Sequence, residues 1–407
     1  MSKIVISSHL QKDKKSIEII ERKGFGHPDT LSDALAERLS ASYSRYTLEK
    51  FGVILHHNFD KVGLLGGSSS VKFGDGKMVD PIRVLLNGRA SLKFGEEEIP
   101  VEKMLIDWTK EFMKEKFPLL DVDKDLKFLY NLSTKSSPGK TDEKAADKGT
   151  RKYWFEPRSL DDIQETKKLL SNDTSLGVGF YPFSILEKFV LDMEEKLNAY
   201  SKVNLWMGTD IKILAFNNGE EYDVTMCIPQ VANYVKNIED YKSNINKTKE
   251  YILSIASEYG IKNISLSINT RDNFDLNELY LTAIGSSIES GDEGLVGRGN
   301  RINGLITPMR PMSMEGASGK NPVYHIGKVY YILANNIAKR IFEKYDVYNE
   351  TYVASQSGRD LLDPWIVSVF LPEGFADNAG VEEVIKDEIS KIAEITKLVI
   401  KEAIKVY

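Results

Sequence analysis

Two periodicities take turns along this chain, and their irregular order limits the fold more than any other feature. Apolar residues at helical spacing recur at Leu31, Leu35 and Leu39, on a helix starting near Asp29. They recur at Met104, Trp108 and Phe112, at Ile185, Phe189, Met193 and Leu197 with Pro182 in the first turn, and at Val329, Leu333, Ile337 and Ile341. Val384, Ile385, Ile389, Ile392 and Leu398 predict one long amphipathic helix over about 381–404. Between these lie strand-like runs at 53–55, 82–86, 211–216, 222–228, 264–268, 280–284 and 366–371. A doubly wound sheet needs regular strand–helix alternation, whereas these runs mix hairpin-like pairs with crossovers, so the class predicted is α+β. At 407 residues the chain exceeds one ordinary core and implies two or three domains, or repeated units packed together.

The charge balance, 54 basic against 60 acidic residues, gives −6 and argues against a nucleic-acid partner. The single cysteine, Cys227, sits in the alternating run 222–228 and is expected as a packed strand thiol; one cysteine excludes an intrachain disulfide. The start MSKIVISSHLQKDKKS lacks the apolar core of a signal peptide, and no apolar run approaches the ~18 residues of a membrane span. A soluble, cytoplasmic protein with no membrane partner is expected. Residues 133–152, STKSSPGKTDEKAADKGTRK, hold no aliphatic side chain larger than alanine and five lysines, and predict a mobile polar loop: an insertion, a lid or plain surface.

Four segments carry residues suited to chemistry. Gly24-Phe25-Gly26-His27-Pro28-Asp29 runs straight into the first helix. Glycine lets backbone approach a ligand, a helix N-terminus suits phosphate, His27 can donate to a phosphate oxygen and Asp29 can hold Mg²⁺, although Asp29 can equally just cap the helix. The stretch 285–327 holds nine of the 29 glycines, about three times the average density, interspersed with Asp292, Glu293, Arg298, Arg301, Arg310, Glu315, Lys320 and His325, and followed by Lys328. Cations along pliable backbone suit a polyphosphate, and Asp292 or Glu293 can receive an ammonium group or a metal. The run 171–179, SNDTSLGVG, reads on its own as a helix–strand turn. Asp210 and Lys212 share one strand face, where an exposed ion pair is the plain reading. Two other patterns fail: Gly139-Lys140-Thr141 has Thr134 where a P-loop needs glycine, and the adjacent His56 and His57 point to opposite strand faces.

Taken together these segments resemble the methionine adenosyltransferases (S-adenosylmethionine synthetases) of the archaeal type. Gly26-His27-Pro28-Asp29 is similar to the family's GHPD motif. His56-His57-Asn58 followed by Gly66-Gly67, Asn172-Asp173-Thr174-Ser175 with Gly177-Val178-Gly179, and the blocks GDEGLVGRGNRINGLIT (291–307), RPMSMEG (310–316) and GKNPVYHIGK (319–328) follow in order. The likeness spans about 21–356.

The resemblance implies attack of the methionine sulfur on C5′ of ATP, giving S-adenosylmethionine, with the triphosphate then cleaved to pyrophosphate and phosphate. It implies Mg²⁺, usually with K⁺, and ATP and L-methionine as partners. It also implies three similar α+β units around a pseudo-threefold axis, roughly 20–130, 155–270 and 271–407 with the chain crossing between them. A homodimer follows, packed sheet to sheet, with active sites at the interface. By similarity His27, Arg298 and Lys320 are catalytic. Gly26, Lys212, Arg310 and Lys328 join those three at ATP and its triphosphate. Asp173, Asp292 and Asn58 serve methionine or adenosine, and Asp29 and Asp210 bind the metal. Two other readings stay open: a diverged relative that only binds ATP or hydrolyses triphosphate, and a non-catalytic subunit of a synthetase. The chain departs from the archaeal pattern at Phe59, at 68–73 and at Phe180-Tyr181.

Overall fold

Three mixed sheets, each covered on one face by helices, organise the computed structural model, which describes residues 2–10, 17–135 and 153–407. The helices are α1 (Pro28–Phe51), α2 (Val101–Lys116), α3 (Ile185–Ser201), α4 (Ile238–Glu258), α5 (Ile326–Tyr345), α6 (Asn378–Ser390) and α7 (Ile392–Ile400). The class is α+β.

The sheets share one plan. Leu126–Ser133, Ile82–Ala90, Gly63–Leu65 and Gly294–Leu295 pair parallel, antiparallel, antiparallel. Ile264–Ile268, Tyr222–Cys227, Lys212–Asn217 and Glu18–Lys23 repeat those directions, as do Lys3–Leu10, Ile366–Pro372, Asn349–Ser355 and Ser175–Tyr181. Each sheet borrows an edge strand from a distant part of the chain. Glu18–Lys23 leads into α1 yet pairs in the second sheet, and Ser175–Tyr181 leads towards α3 yet pairs in the third.

Each sheet has its own core. Leu31, Leu35 and Leu39 of α1 pack with Leu105 and Phe112 of α2 over Ile82, Val84 and Leu86. Phe189, Met193 and Leu197 of α3 and Ile252 of α4 cover Ile213, Val224 and Met226. Val329, Leu333, Ile337 and Ile341 of α5 cover Val353, Val367 and Val369, with Ile385 and Ile392 beyond. Each fully buried aliphatic or aromatic side chain contributes about 1.5–3 kcal/mol, so the helical spacing read from sequence is what seats the helices.

Several expectations need correction. The expected 381–404 helix is two helices broken at Lys391, and the break turns Ile392, Ile395 and Val399 into the third core while Thr396 donates to Pro322 O at 2.9 Å. Pro182 is not in the first turn of α3: Ser184 is the N-cap in a reciprocal capping box with Glu187, and Leu186 rather than the exposed Ile185 faces the core. The 53–55 run is no strand, because Gly52 ends α1 in the left-handed region and pairing starts only at His57–Asn58. Cys227 is exposed, since alternation turns Val224 and Met226 inward and 227 outward. The loop expected at 133–152 begins at the last residue of Leu126–Ser133, and 136–152 lie outside the described residues.

Candidate active site

Most of the charged residues singled out in the sequence gather in two clusters, and the glycine-rich segment 285–327 runs through both. The first surrounds the start of α1. Glu194, projecting from α3, receives Arg22 Nη2 at 2.8 Å, Arg22 Nε at 3.1 Å and the backbone N–H of Phe25 at 3.0 Å, which fixes the loop before the helix. Gly26 lies so close to Thr209 and Asp210 that any Cβ there would collide with their backbone. His27 is the N-cap of α1, and its Nδ1 accepts the Asp29 N–H at 3.2 Å. Burial lowers the His27 pKa, opposed by the carboxylates of Asp210 and Asp29 and aided by Lys23 and Lys212. A neutral ring whose Nδ1 accepts carries its proton on Nε2, free to donate.

Two buried carboxylates flank this histidine. Asp29 Oδ2 takes Lys23 Nζ at 2.8 Å and Oδ1 takes the Leu295 N–H at 3.1 Å. Asp210 Oδ2 takes the N–H of Ser287 at 2.8 Å, its hydroxyl at 2.5 Å and Tyr280 Oη at 3.3 Å; burial raises the Asp210 pKa, with His27 acting against it. Ser287 Oγ also lies 3.0 Å from Asp292 Oδ2, tying Asp292 to the same cluster. Lys212 sits on the outer sheet face, 3.3 Å from Glu21, and the exposed Arg298 makes no ion pair with any described residue.

The second cluster surrounds a cleft of about 480 Å³ lined in part by Asn58, Asp60, Asp173, Tyr324 and His325. Asn58 Oδ1 accepts the Asn321 N–H at 3.1 Å, and Asn58 bridges the Lys320 backbone. The Lys320 ammonium rests on Glu315; burial lowers its pKa, with Asp60 and Asp173 opposing. Asp173 is exposed; its carboxylate accepts its neighbour's N–H, Thr174, at 2.7 Å, and its carbonyl accepts Ser171 Oγ at 2.7 Å. His325 caps α5 as His27 caps α1, its Nδ1 accepting the Gly327 N–H at 3.3 Å.

Two residues expected at the triphosphate make ion pairs within the fold. Lys328 is fully buried, its ammonium 2.8 and 2.7 Å from the two oxygens of Glu37, so it braces α5 against α1, and its charge is felt by Lys320 and His325 of the second cluster. Arg310 grips Glu187 with two bonds of 2.9 Å between the rings of Phe180 and Tyr348, outside both clusters. His56 and His57 do point apart, His56 to Tyr324 and Glu165, His57 to Ser40 and Leu55. Lys23, Ser287 and Tyr280 were not foreseen; the only signal was their adjacency to Gly24 and Gly285.

Among the described residues no three or more His, Cys, Asp and Glu side chains converge into a metal cage. Mg²⁺ on a phosphate substrate needs only one or two protein carboxylates, and Asp29 and Asp210, hard oxygen donors on either side of His27, fit that requirement.

The sequence profile of the family described as S-adenosylmethionine synthetase (AdoMet synthetase) matches residues 2–145 and 155–403. Curated relatives include S-adenosylmethionine synthases of Hyperthermus butylicus, 37% identical over 99% of each chain, and of Thermoplasma acidophilum, 38% identical over 97% of this chain and 96% of the relative. That of Archaeoglobus fulgidus is 36% identical over 98% of each chain. Among solved structures, an unusual S-adenosylmethionine synthetase from Campylobacter jejuni shares the fold, with TM-score 0.59 and 14% identity over 95% of this chain and 93% of that one. With both the length and the segments carrying these residues matched, this chain belongs to the S-adenosylmethionine synthetase family.

Proposed function

We propose that this chain makes S-adenosylmethionine from ATP and L-methionine by attack of the methionine sulfur on C5′, then cleaves the triphosphate to pyrophosphate and phosphate. The observation that carries this reading is the neutral, Nε2-donating His27 at a helix N-terminus, set between two carboxylates and two ammonium groups. A thioether has no proton to lose, so no general base is required; the protein must align sulfur and carbon and stabilise the departing charge. His27 donates Nε2–H to the leaving triphosphate oxygen. Arg298, Lys320 and Lys212 neutralise the phosphates, and Gly26, whose bare backbone lets the loop lie against Thr209 and Asp210, seats the loop at the triphosphate. Asp173, Asp292 and Asn58 serve methionine and adenosine. Asp29 and Asp210 hold Mg²⁺, which when bound offsets phosphate charge; K⁺ is proposed with it on family resemblance alone.

The charges expected around one reaction lie in two clusters, which supports a site completed between two copies of the chain. Supporting this, the outer faces of all three sheets expose apolar residues: Leu129 and Leu295, Ile19 and Leu214, Val5 and Leu176. The repeated strand directions support three units around a pseudo-threefold axis. No described helix is long and apolar enough to cross a membrane, and we place the enzyme in the cytoplasm.

The test is mass-spectrometric detection of S-adenosylmethionine from purified protein, ATP, methionine, Mg²⁺ and K⁺. Product with pyrophosphate and phosphate is expected. Phosphate release alone would indicate a triphosphatase, and no turnover by folded protein a non-catalytic subunit.

A further inference from the structure

Transfer and triphosphate hydrolysis each leave charge on a phosphate oxygen, yet His27 meets only the first of those oxygens. A second histidine is built the same way. His325 is the N-cap of α5, and its Nδ1 accepts the Gly327 N–H at 3.3 Å, as His27 Nδ1 accepts the Asp29 N–H at 3.2 Å on α1. Only 5% of His325 is exposed, and the residue lines the cleft of about 480 Å³. Its Nε2 makes no hydrogen bond or ion pair with any described residue. Burial holds its pKa well below the ordinary value, and Lys320, Lys328 and Lys61 push the same way. The ring is neutral, and because Nδ1 accepts, its one proton is on Nε2. The two rings differ in their surroundings: carboxylates of Asp210 and Asp29 flank His27, whereas ammonium groups surround His325. Of the two carboxylates lining the cleft, Asp60 is paired with Lys61 at 2.8 Å, and Asp173 belongs to the methionine and adenosine end.

We propose that His325 serves the hydrolytic step, donating Nε2–H to the oxygen that departs with pyrophosphate, while His27 serves the transfer; the inference rests on the reading of the chain as a synthetase. Water adds to a terminal phosphorus of the triphosphate. The bond from that phosphorus to the bridging oxygen breaks, and its electron pair stays on that oxygen, now at the end of pyrophosphate. One water proton stays on the phosphate formed and the other leaves to solvent. His325 keeps its own proton and stabilises the departing charge by hydrogen bonding. The carbon–oxygen bond broken in transfer lies at one end of the triphosphate, and the phosphorus–oxygen bond broken in hydrolysis lies within it. The two leaving oxygens are therefore different atoms, and two donors in two clusters meet them where one does not. Lys320, which His325 senses, is the cation already assigned to the phosphates in this cluster.

The experiment uses the full-length enzyme with Mg²⁺ and reads two rates: phosphate released from added inorganic tripolyphosphate, and S-adenosylmethionine formed in a single turnover. His325→Asn keeps an N-cap acceptor for α5 but shortens the side chain, so melting should hold while the donor is lost. Tripolyphosphate hydrolysis should fall roughly 100- to 1,000-fold, and about tenfold or more beyond any loss in transfer. His325→Gln, whose amide reaches the Nε2 position, should recover most of the hydrolysis. His27→Ala should show the reverse order of losses. Equal losses of hydrolysis and transfer in His325→Asn, unchanged hydrolysis, or no recovery in His325→Gln would overturn the assignment. If wild type makes no S-adenosylmethionine, the synthetase reading has failed, and tripolyphosphate hydrolysis decides His325 separately. Hydrolysis lost in His325→Asn and recovered in His325→Gln sustains the role, and no hydrolysis by wild type refutes it.

Discussion

Replacing Lys328 by methionine tests whether its ammonium braces the fold or touches phosphate. The side chain is fully buried between α5 and α1, its Nζ 2.8 and 2.7 Å from the oxygens of Glu37. Burial lowers the Lys328 pKa and the Glu37 charge opposes that shift. Methionine keeps most of the stem and removes the charge, leaving the Glu37 carboxylate buried with only the Gly319 N–H, at 2.9 Å, to support it. Breaking a buried pair from one side costs about 3–5 kcal/mol. That is a large share of the roughly 5–15 kcal/mol that holds a typical domain folded. The denaturant midpoint, followed by fluorescence, should therefore fall sharply. Adding Glu37→Gln keeps an acceptor for Gly319 while removing the orphaned charge, so the double variant should recover part of the loss. An unchanged midpoint together with a tenfold rise in ATP KM would refute the bracing role and put Lys328 at the triphosphate.

Three further outcomes are expected. His27→Ala should lower kcat on the order of 100- to 1,000-fold with little change in ATP affinity, measured by single turnover and calorimetry; equal losses in both would contradict a leaving-group role. Asp292→Asn should raise methionine KM and spare hydrolysis of added triphosphate, and collapse of that hydrolysis would instead put Asp292 on metal or phosphate. His57 and His325 should each take stability away as pH drops below about 6.5. Burial holds His57 down to about 3 and His325 well below its usual value, so the unfolded chain binds protons that the native one does not. Each contributes about 1.4 kcal/mol per pH unit in that window, and Asp33, pushed up to about 7 by burial, acts in the opposite direction between about 4 and 7. The dependence of the denaturant midpoint on pH between about 4 and 6 should change by up to one proton in His57→Gln, in the direction that removes the stability lost on acidification.

How much could be read ahead of the structure depended on range. The amphipathic faces of α1, α2, α3 and α5 were legible because their cores repeat every turn in the sequence itself. Strand Ser175–Tyr181 was not, because Gly177 and Gly179 erase the strand pattern. Their bare backbone lets α5 lie against the strand, with Gly177 on Tyr330 and Gly179 on Ala334 where any Cβ would collide. Strand Lys3–Leu10 pairs with Ile366–Pro372 near the other end of the chain, and no local signal announces such a partner. The same holds in the site. The motif at 26–29 and the glycine-rich segment were visible as chemistry, but nothing in the order of residues says that Lys23 reaches forward to Asp29 and across to Arg298 O, both at 2.8 Å. Nor does it separate Lys328, which braces two helices, from Lys320, which lies at the cleft: both read as lysines in one basic, glycine-rich run.

The first turns of α1 explain why that run must be both glycine-rich and close to 26–29. Asp29 accepts the Leu295 N–H at 3.1 Å, and Asp33, one turn on, accepts those of Gly297 at 2.9 Å and Gly299 at 3.2 Å. Acidic groups are stabilised at a helix N-terminus, and the start of α1 carries the carboxylates that clamp the segment. Gly294 lies against Pro28 O, where a side chain would have to displace the helix start. The clamped backbone presents Arg298 on one side, and Arg301, bonded back to the Gly297 and Gly299 carbonyls at 2.7 and 2.9 Å, stiffens the turn. The group proposed for the phosphates is thus placed by the helix that carries His27 and Asp29, and a shift of either element moves both halves of the proposed site together.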